Sequence, residues 1–236
     1  MRLHAAGPSI PRASTCTFAL KCNLTYSHLV LSTKTGSRRE LNKERTRRSI
    51  KSAVLQLACG CPIASLTAEQ IAEQAGVSRR TFFNYYAGID AVLAEATQEP
   101  MLAVFEAFLA RPDDEDPLAA MIAALQGPLP VELAQWCAAL SRPDNQGSET
   151  YAQVWQRHTE WVAGVLQARL GPDADHLYVA GLAGAVMSLF TAAQERWMTR
   201  TQGGLDEASL LLFSELLRTA LAHARDGWRT PQLTHP

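Results

Sequence analysis

Apolar residues recur at three- and four-residue spacings from Glu40 onwards, which is the period of amphipathic α-helices. The first such stretch has Ile50, Val54 and Leu57 on one face and predicts a helix that ends at Pro62. No stretch alternates between apolar and polar residues with a period of two, and no segment repeats another. The pattern therefore predicts an all-α fold.

Two short helices are predicted between Thr67 and Tyr86, with a tight turn at Gly76. Thr67 and Gln70 have the spacing of a capping box at the start of the first helix, and Ser78 is the expected cap of the second. Two short helices that are joined by a glycine-containing turn form a helix-turn-helix motif.

Helical patterns continue to the end of the chain, with proline, glycine and aspartate residues between them. A fourth helix is expected from Asp90, and Pro100 is expected to kink or divide it. The later helices are predicted over residues 117–126, 130–141, 148–170, 173–200 and 205–225.

These patterns predict three parts of the chain. Residues 1–40 are rich in glycine, proline, serine and threonine without a sustained period, so they are expected to form a disordered N-terminal extension. Residues 41–88 are expected to form a three-helix domain that contains the helix-turn-helix. Residues 89–230 are expected to form a second, larger helical domain.

The net charge of −1 conceals a separation of charge along the chain. Residues 1–37 carry a net charge of +4, residues 38–90 also carry +4, and residues 91–236 carry −9. A basic N-terminal part on an acidic body indicates that the N-terminal part binds a polyanion and the body does not.

Other classes of protein find little support in the sequence. No apolar run approaches the length of about 18 residues that would cross a membrane, so no membrane partner and a cytoplasmic location are expected. The five cysteines match no zinc spacing, and we expect reduced thiols, no metal and no cofactor, with redox sensing as the alternative. No glycine-rich phosphate loop, G-x-S-x-G or H-E-x-x-H motif occurs, so an enzyme is not expected.

The outward face of the second short helix carries side chains suited to DNA. Arginine can read guanine edges, asparagine can read adenine, and threonine or aromatic side chains can pack on the thymine methyl group. Serine, tyrosine and a helix N-terminus suit phosphate oxygens. The alternative is a helix pair that packs against protein. The DNA-binding candidates are Thr67, Ser78, Arg79, Arg80, Thr81, Phe83, Asn84 and Tyr85.

The order of residues in this motif closely resembles the DNA-binding motif of the TetR family of transcriptional regulators. The resemblance covers about residues 44–97 and rests on Ile71-Ala72, Ala75-Gly76-Val77-Ser78 and the run Thr81–Tyr86. It implies a homodimer on a palindromic operator in double-stranded DNA, with repression that ends when a small molecule binds residues 89–230, the ligand-binding and dimerisation domain. It also implies that Ser78 and Tyr85 contact phosphate. An activator, a non-specific DNA-binding protein and, more remotely, a helical enzyme are the alternatives.

One position departs from the family pattern. The family usually has a phosphate-binding lysine at the start of the helix after the recognition helix, and Ile89 stands at about that position here. We expect the missing charge to be replaced by Arg45, Arg47 and Arg48 or by Arg38 and Arg39.

The effector cavity is predicted from large aromatic and flexible side chains in the second domain. A stripe at helical spacing contains Trp155 and His158. Such a stripe is more often ordinary core, and a lone histidine there is usually a core residue with satisfied hydrogen bonds. A helical regulator nevertheless needs a cavity, and aromatics with one polar group commonly line one. The candidates are Phe105, Phe108, Met121, Trp136, Trp155 and His158.

Two long helices are candidates for the dimer interface. The stretch 178–197 combines small residues with an apolar helix, and the last helix is leucine-rich on more than one face. Four such helices can pack around a two-fold axis, and burial within one subunit is the alternative. The interface candidates are Gly181, Gly184, Ser188, Leu212 and Leu216.

The chemistry of the effector stays open at this level. Arg79 to Phe83 resembles a subgroup of the family that is linked with acyl-CoA-type ligands. A hydrophobic or acyl-type effector is therefore expected, with drugs and flavonoid-like aromatics as alternatives.

Overall fold

The computed structural model describes residues 37–228, and in that range it contains ten α-helices and no strand, which confirms the predicted all-α fold. Short 3₁₀ turns occupy Ile63–Ser65, Glu99–Met101 and Pro143–Asn145. The helices are α1 (Arg38–Gly60), α2 (Ala68–Gln74), α3 (Arg79–Tyr85), α4 (Ile89–Gln98), α5 (Leu102–Leu109), α6 (Pro117–Ala124), α7 (Val131–Leu140), α8 (Glu149–Leu170), α9 (His176–Thr201) and α10 (Glu207–Arg225).

The start of α1 is set by a capping box. Ser37 Oγ accepts a hydrogen bond from the Glu40 amide, and Glu40 Oε2 accepts one from the Ser37 amide. Helix α1 therefore begins at Arg38, slightly before the boundary expected from the apolar pattern. Disorder was expected for residues 1–40, and residues 1–36 of that extension lie outside the described part of the chain.

The turns follow the glycine and proline positions closely. Gly76 has φ +67°, the left-handed conformation that lets the chain reverse between α2 and α3. Pro100 lies in the 3₁₀ turn that separates α4 from α5, so the proline divides the predicted helix. Helix α9 begins at His176, later than predicted, because the Asp175 side chain caps it by accepting from the Leu177 amide.

Two groups of buried side chains make up the core of the described residues. One lies among α1 to α4 around Ile50, Ile71 and Phe82, and it extends to Trp136 on α7 and Val154 on α8. The other lies among α5 to α10. Since the first group draws on α7 and α8, the N-terminal helices pack on the C-terminal helices, and they do so through α1, α4 and the 3₁₀ turn at Ile63–Ser65.

Helix α9 corrects one expectation. It is long and apolar enough, with a mean hydropathy of 1.5, to cross a membrane by length and composition, because residues 176–194 contain no Lys, Arg, Asp or Glu. One such helix is weak support for a membrane protein, because a core helix of a soluble protein can have the same length and composition. Only 28% of the apolar window is buried, so α9 presents an uncovered apolar face.

Candidate DNA-binding surface and effector cavity

Helix α3 is held by its inner face and exposed on its outer face. Phe82 and Tyr86 are buried against the N-terminal core. On the opposite side Arg80 and Asn84 are exposed, and Phe83 has 46% of its surface exposed. An exposed phenylalanine beside an arginine and an asparagine gives this face the donors and the apolar surface that base edges require.

The two arginines of α3 have different surroundings. Arg79 Nε lies 2.6 Å from Glu69 Oε1, and its guanidinium lies over the Phe83 ring at 5.3 Å. Arg80 is exposed and makes no ion pair within residues 37–228. Arg79 is therefore oriented by its neighbours, whereas Arg80 projects without an internal partner.

The hydroxyl groups predicted to contact phosphate already act as helix caps. Thr67 Oγ1 accepts from the Gln70 amide at 3.2 Å, and Ser78 Oγ accepts from the Thr81 amide at 3.0 Å. Both residues are exposed, while Thr81 and Tyr85 are half-buried on the flanks of α3. All eight predicted DNA-binding residues thus lie on or beside α2 and α3.

A basic groove continues this surface. The first turns of α1 lie beside the end of α3, and a groove lined by Arg38, Arg39 and Lys43 on one side and Asn84 and Tyr85 on the other separates them. The three cations are exposed. The groove therefore places positive charge next to the exposed face of α3.

Other basic residues of α1 are used within the fold. Arg47 Nη1 lies 2.8 Å from Glu95 Oε2, and Lys51, which is buried, pairs with Glu95 and Glu99 of the α4 region. Tyr86 donates its hydroxyl to Glu95 at 3.0 Å. Burial and the Glu95 carboxylate raise the pKa of Tyr86, so the phenol stays protonated as a donor. Arg47 is consequently engaged in joining α1 to α4.

Ile89 packs in a half-buried position against the N-terminal core at the start of α4. The next residue, Asp90, accepts a hydrogen bond from Arg157 of α8 at 2.6 Å. The first turn of α4 thus makes an apolar contact and an ion pair with the body.

An apolar cavity of about 80 Å³ lies between α4, α5, α7, α8 and α9, next to α6 and α10. Five of the six predicted residues line it, and Trp136 does not, because its side chain is buried in the N-terminal core. No Lys, Arg, Asp or Glu is found among the described lining residues. The lining residues from the prediction are Phe105, Phe108, Met121, Trp155 and His158.

His158 and Thr97 form a polar pair in the cavity wall. Burial lowers the pKa of His158, which favours the neutral ring. The Nδ1 atom lies 2.6 Å from the Val154 carbonyl oxygen, which can only accept, so Nδ1 carries the hydrogen. Nε2 is then the acceptor for the Thr97 hydroxyl at 2.5 Å. This pair links the cavity wall on α8 to α4.

The sequence pattern did not indicate several of the lining residues. Thr97 and Gln194 are polar residues on otherwise apolar helix faces, and that position was the available signal. Burial raises the pKa of the Cys137 thiol at the cavity wall, so the thiol stays protonated. Of the other cysteines in the described range, Cys59 is buried and Cys61 partly so.

Helix α9 carries the predicted interface residues on its uncovered side. Gly181 and Ser188 are exposed, and nothing lies within 4 Å of a Cβ placed on Gly181 or Gly184. On α10, Leu212 and Leu216 are half-buried. The exposed side of α9 together with these two half-buried leucines of α10, which packs on α9, is called the uncovered strip below.

Comparison with known proteins identifies the C-terminal part. Residues 146–228 match a family of TetR-type C-terminal domains that is described as the MftR C-terminal domain. No curated protein matches the chain. Among solved structures, the chain is similar to Thermus thermophilus FadR, a TetR family transcriptional repressor in complex with lauroyl-CoA. That match has 21% identity and a TM-score of 0.44, and it covers 80% of this chain and 98% of that one. Residues 146–228 therefore form a domain of this TetR-type family, and in the same chain they follow a helix-turn-helix.

Proposed function

We propose that this regulator is a cytoplasmic repressor that binds a palindromic operator as a homodimer and is released when a small molecule enters the cavity. The exposed face of α3 carries the proposal, because Phe82 and Tyr86 fix one side of the helix while Arg80, Phe83 and Asn84 face outward. Rigid support on one side and base-reading chemistry on the other is the arrangement of a recognition helix.

The test is selection of genomic DNA fragments on the purified protein at physiological salt. One enriched palindrome, bound upstream of a gene whose transcription the protein lowers in a reconstituted reaction, is the expected result. Enrichment without a shared motif would show non-specific binding and overturn the operator. Higher transcription on the same fragment would replace repression by activation.

The cavity is a suitable effector site because it lies against α4. Thr97 and Met101 belong to α4 and the turn after it, and α4 directly follows the recognition helix. A ligand that moves His158 changes its contact with Thr97 at one end of α4, while the Asp90–Arg157 ion pair holds the other end. A shift of α4 would reposition α3 relative to the second half-site.

The homodimer is proposed on the uncovered strip of α9 and α10. The side chain of Ala185 is exposed at the middle of the strip. Small residues let two helices approach closely, and burial of an apolar helix face across a two-fold axis is a common dimer arrangement.

Replacing Ala185 by arginine is expected to weaken the dimer by at least 100-fold, since it would bury an unpaired charge in each subunit. Ala168→Arg, on an exposed face of α8, is the matched control and should leave the dimer intact. Sedimentation velocity at micromolar concentration measures both. A wild-type monomer, or an unaffected Ala185→Arg dimer, would remove α9 from the interface.

A further inference from the structure

One polar atom in the cavity region has no hydrogen-bond partner. Within residues 37–228 three buried side-chain nitrogen or oxygen atoms lack a partner, and of these only Gln194 Oε1 belongs to a residue that lines the cavity. Gln194 is 3% exposed. A buried acceptor without a donor is costly, so its presence in a cavity wall calls for an explanation.

The hydrogen bonds around Gln194 fix which way its amide points. Ser141 donates its hydroxyl hydrogen to the Cys137 carbonyl oxygen at 2.7 Å. Gln194 Nε2 donates to Ser141 Oγ at 2.6 Å and approaches the Cys137 oxygen at 3.4 Å. Both neighbours accept from the amide, so the nitrogen faces α7 and Oε1 is the atom left over.

The other polar groups of the wall do not compete for a ligand in the same way. Thr97 and His158 are bonded to each other, and the wall has no charged side chain among the described lining residues. The described lining residues are mostly apolar, whereas a buried water needs two to four polar partners. A single hydrogen-bond donor on an apolar molecule fits this wall better than a water or an ion.

We propose that the cavity takes an uncharged, largely apolar molecule of about one aromatic ring that carries a hydroxyl or amide N–H, and that Gln194 Oε1 accepts a hydrogen bond from this donor. The assignment rests on the proposed role of the cavity as the effector site. The cavity of about 80 Å³ is smaller than the roughly 150 Å³ that holds benzene, but Met101, Met121 and Met187 line it and repack readily.

The experiment compares p-cresol with p-xylene, which has a methyl group in place of the hydroxyl, by calorimetry on wild-type protein and on Gln194→Met. The affinity for p-cresol divided by the affinity for p-xylene is expected to be at least about five times larger in the wild type than in the variant. The reason is that only the wild type offers the hydroxyl an acceptor. Gln194→Leu is the second variant, so that misfolding of one leaves the comparison intact. Ser141→Ala, which keeps Oε1, is the matched control and should retain most of the wild-type ratio.

An equal p-cresol to p-xylene ratio in the wild type and in the folded Gln194 variants would overturn the assignment. Binding of p-toluate more tightly than p-cresol would also overturn it, since the carboxylate of p-toluate would be buried without a cation in the described cavity wall. Operator binding without ligand is measured on the same proteins. If the wild type shows no sequence-specific DNA binding, the proposed regulator is overturned. If the wild type binds its operator normally but the p-cresol to p-xylene affinity ratio is the same in the wild type and the Gln194 variants, only the proposed ligand class is overturned.

Discussion

Replacing Arg80 by alanine is expected to weaken binding to the selected operator by on the order of 100-fold or more. Arg80 is exposed on α3 and makes no ion pair within the described range, so its guanidinium is free to meet a guanine edge. A bidentate arginine–guanine contact contributes roughly 1–3 kcal/mol, and a dimer makes it in both half-sites. The change should leave the melting temperature nearly unaltered because Arg80 holds nothing in the fold.

Two further variants separate base reading from attraction to phosphate. Arg80→Lys keeps the charge but not the planar donor pair, so it is expected to lose most of the specificity while keeping non-specific affinity. Lys43→Gln, in the basic groove beside Asn84, should weaken all sequences alike and reduce the salt slope by about one unit for each phosphate that is no longer neutralised. Fluorescence anisotropy on operator and scrambled duplexes at several salt concentrations gives these values. Equal losses on both duplexes for Arg80→Ala would make Arg80 a phosphate-binding residue.

The groove also bears on the missing lysine at Ile89. Arg47 is occupied by Glu95, and Arg48 pairs with Glu44, whereas Arg38 and Arg39 are exposed beside α3. The exposed cations of α1 that make no ion pair within the described residues, Arg45 included, are therefore better replacements for the absent charge than Arg47 and Arg48. An unchanged salt slope in Lys43→Gln and in Arg39→Gln would exclude the groove from DNA binding.

The helices and their turns were predictable because their causes are local. The capping box at Thr67, the left-handed Gly76 and the proline at position 100 each act within a few residues of the chain. The same holds for the exposed face of α3, which follows from the spacing of Phe82 and Tyr86.

The cavity was only partly predictable because its wall is assembled from distant segments. Thr97 and His158 meet only when α4 packs on α8, and Gln194 reaches Ser141 only through the packing of α9 on α7. Trp136 is a large aromatic residue of the kind that lines cavities, yet its position on α7 places its side chain in the N-terminal core. The surroundings of the charged residues of α1 could not be predicted either, because the sequence does not distinguish the buried Lys51 from a lysine exposed to solvent.

Replacing Asn145 by alanine is expected to lower the free energy of unfolding by about 3 kcal/mol, which is a large part of the stability of a domain. Asn145 is fully buried, and its Oδ1 accepts from the Ile63 amide at 2.8 Å. Its Nδ2 donates to the carbonyl oxygens of Ala139 and Leu140 at 3.1 and 3.3 Å. The residue four positions after Ala139 is Pro143, which has no N–H, so Asn145 supplies the donor that the end of α7 lacks.

The side chain thereby ties the turn before α2 to the end of α7, and the alanine variant leaves three backbone groups without this partner. Gln146→Ala, at the exposed next position, is the matched control and should change stability by no more than about 0.5 kcal/mol. Urea unfolding followed by circular dichroism measures both. A loss for Asn145→Ala no larger than that of the control would show that these hydrogen bonds add nothing to the stability of the contact between the two parts.

Asn145→Asp makes the joint dependent on pH. The introduced carboxyl would be buried with one oxygen facing two carbonyl oxygens, so its pKa in the folded protein is expected to lie above the value of about 3.9 in the unfolded chain. The protonated form can still donate, so this variant should approach wild-type stability below about pH 4. As the pH rises through the folded pKa, the charged form is disfavoured and the stability is lost. The deficit of Asn145→Ala relative to the wild type should not vary over the same range, because alanine does not titrate. If the stability deficit of Asn145→Asp relative to the wild type does not change with pH, the introduced carboxyl is in contact with water. It is then not buried against the carbonyl oxygens at the end of α7.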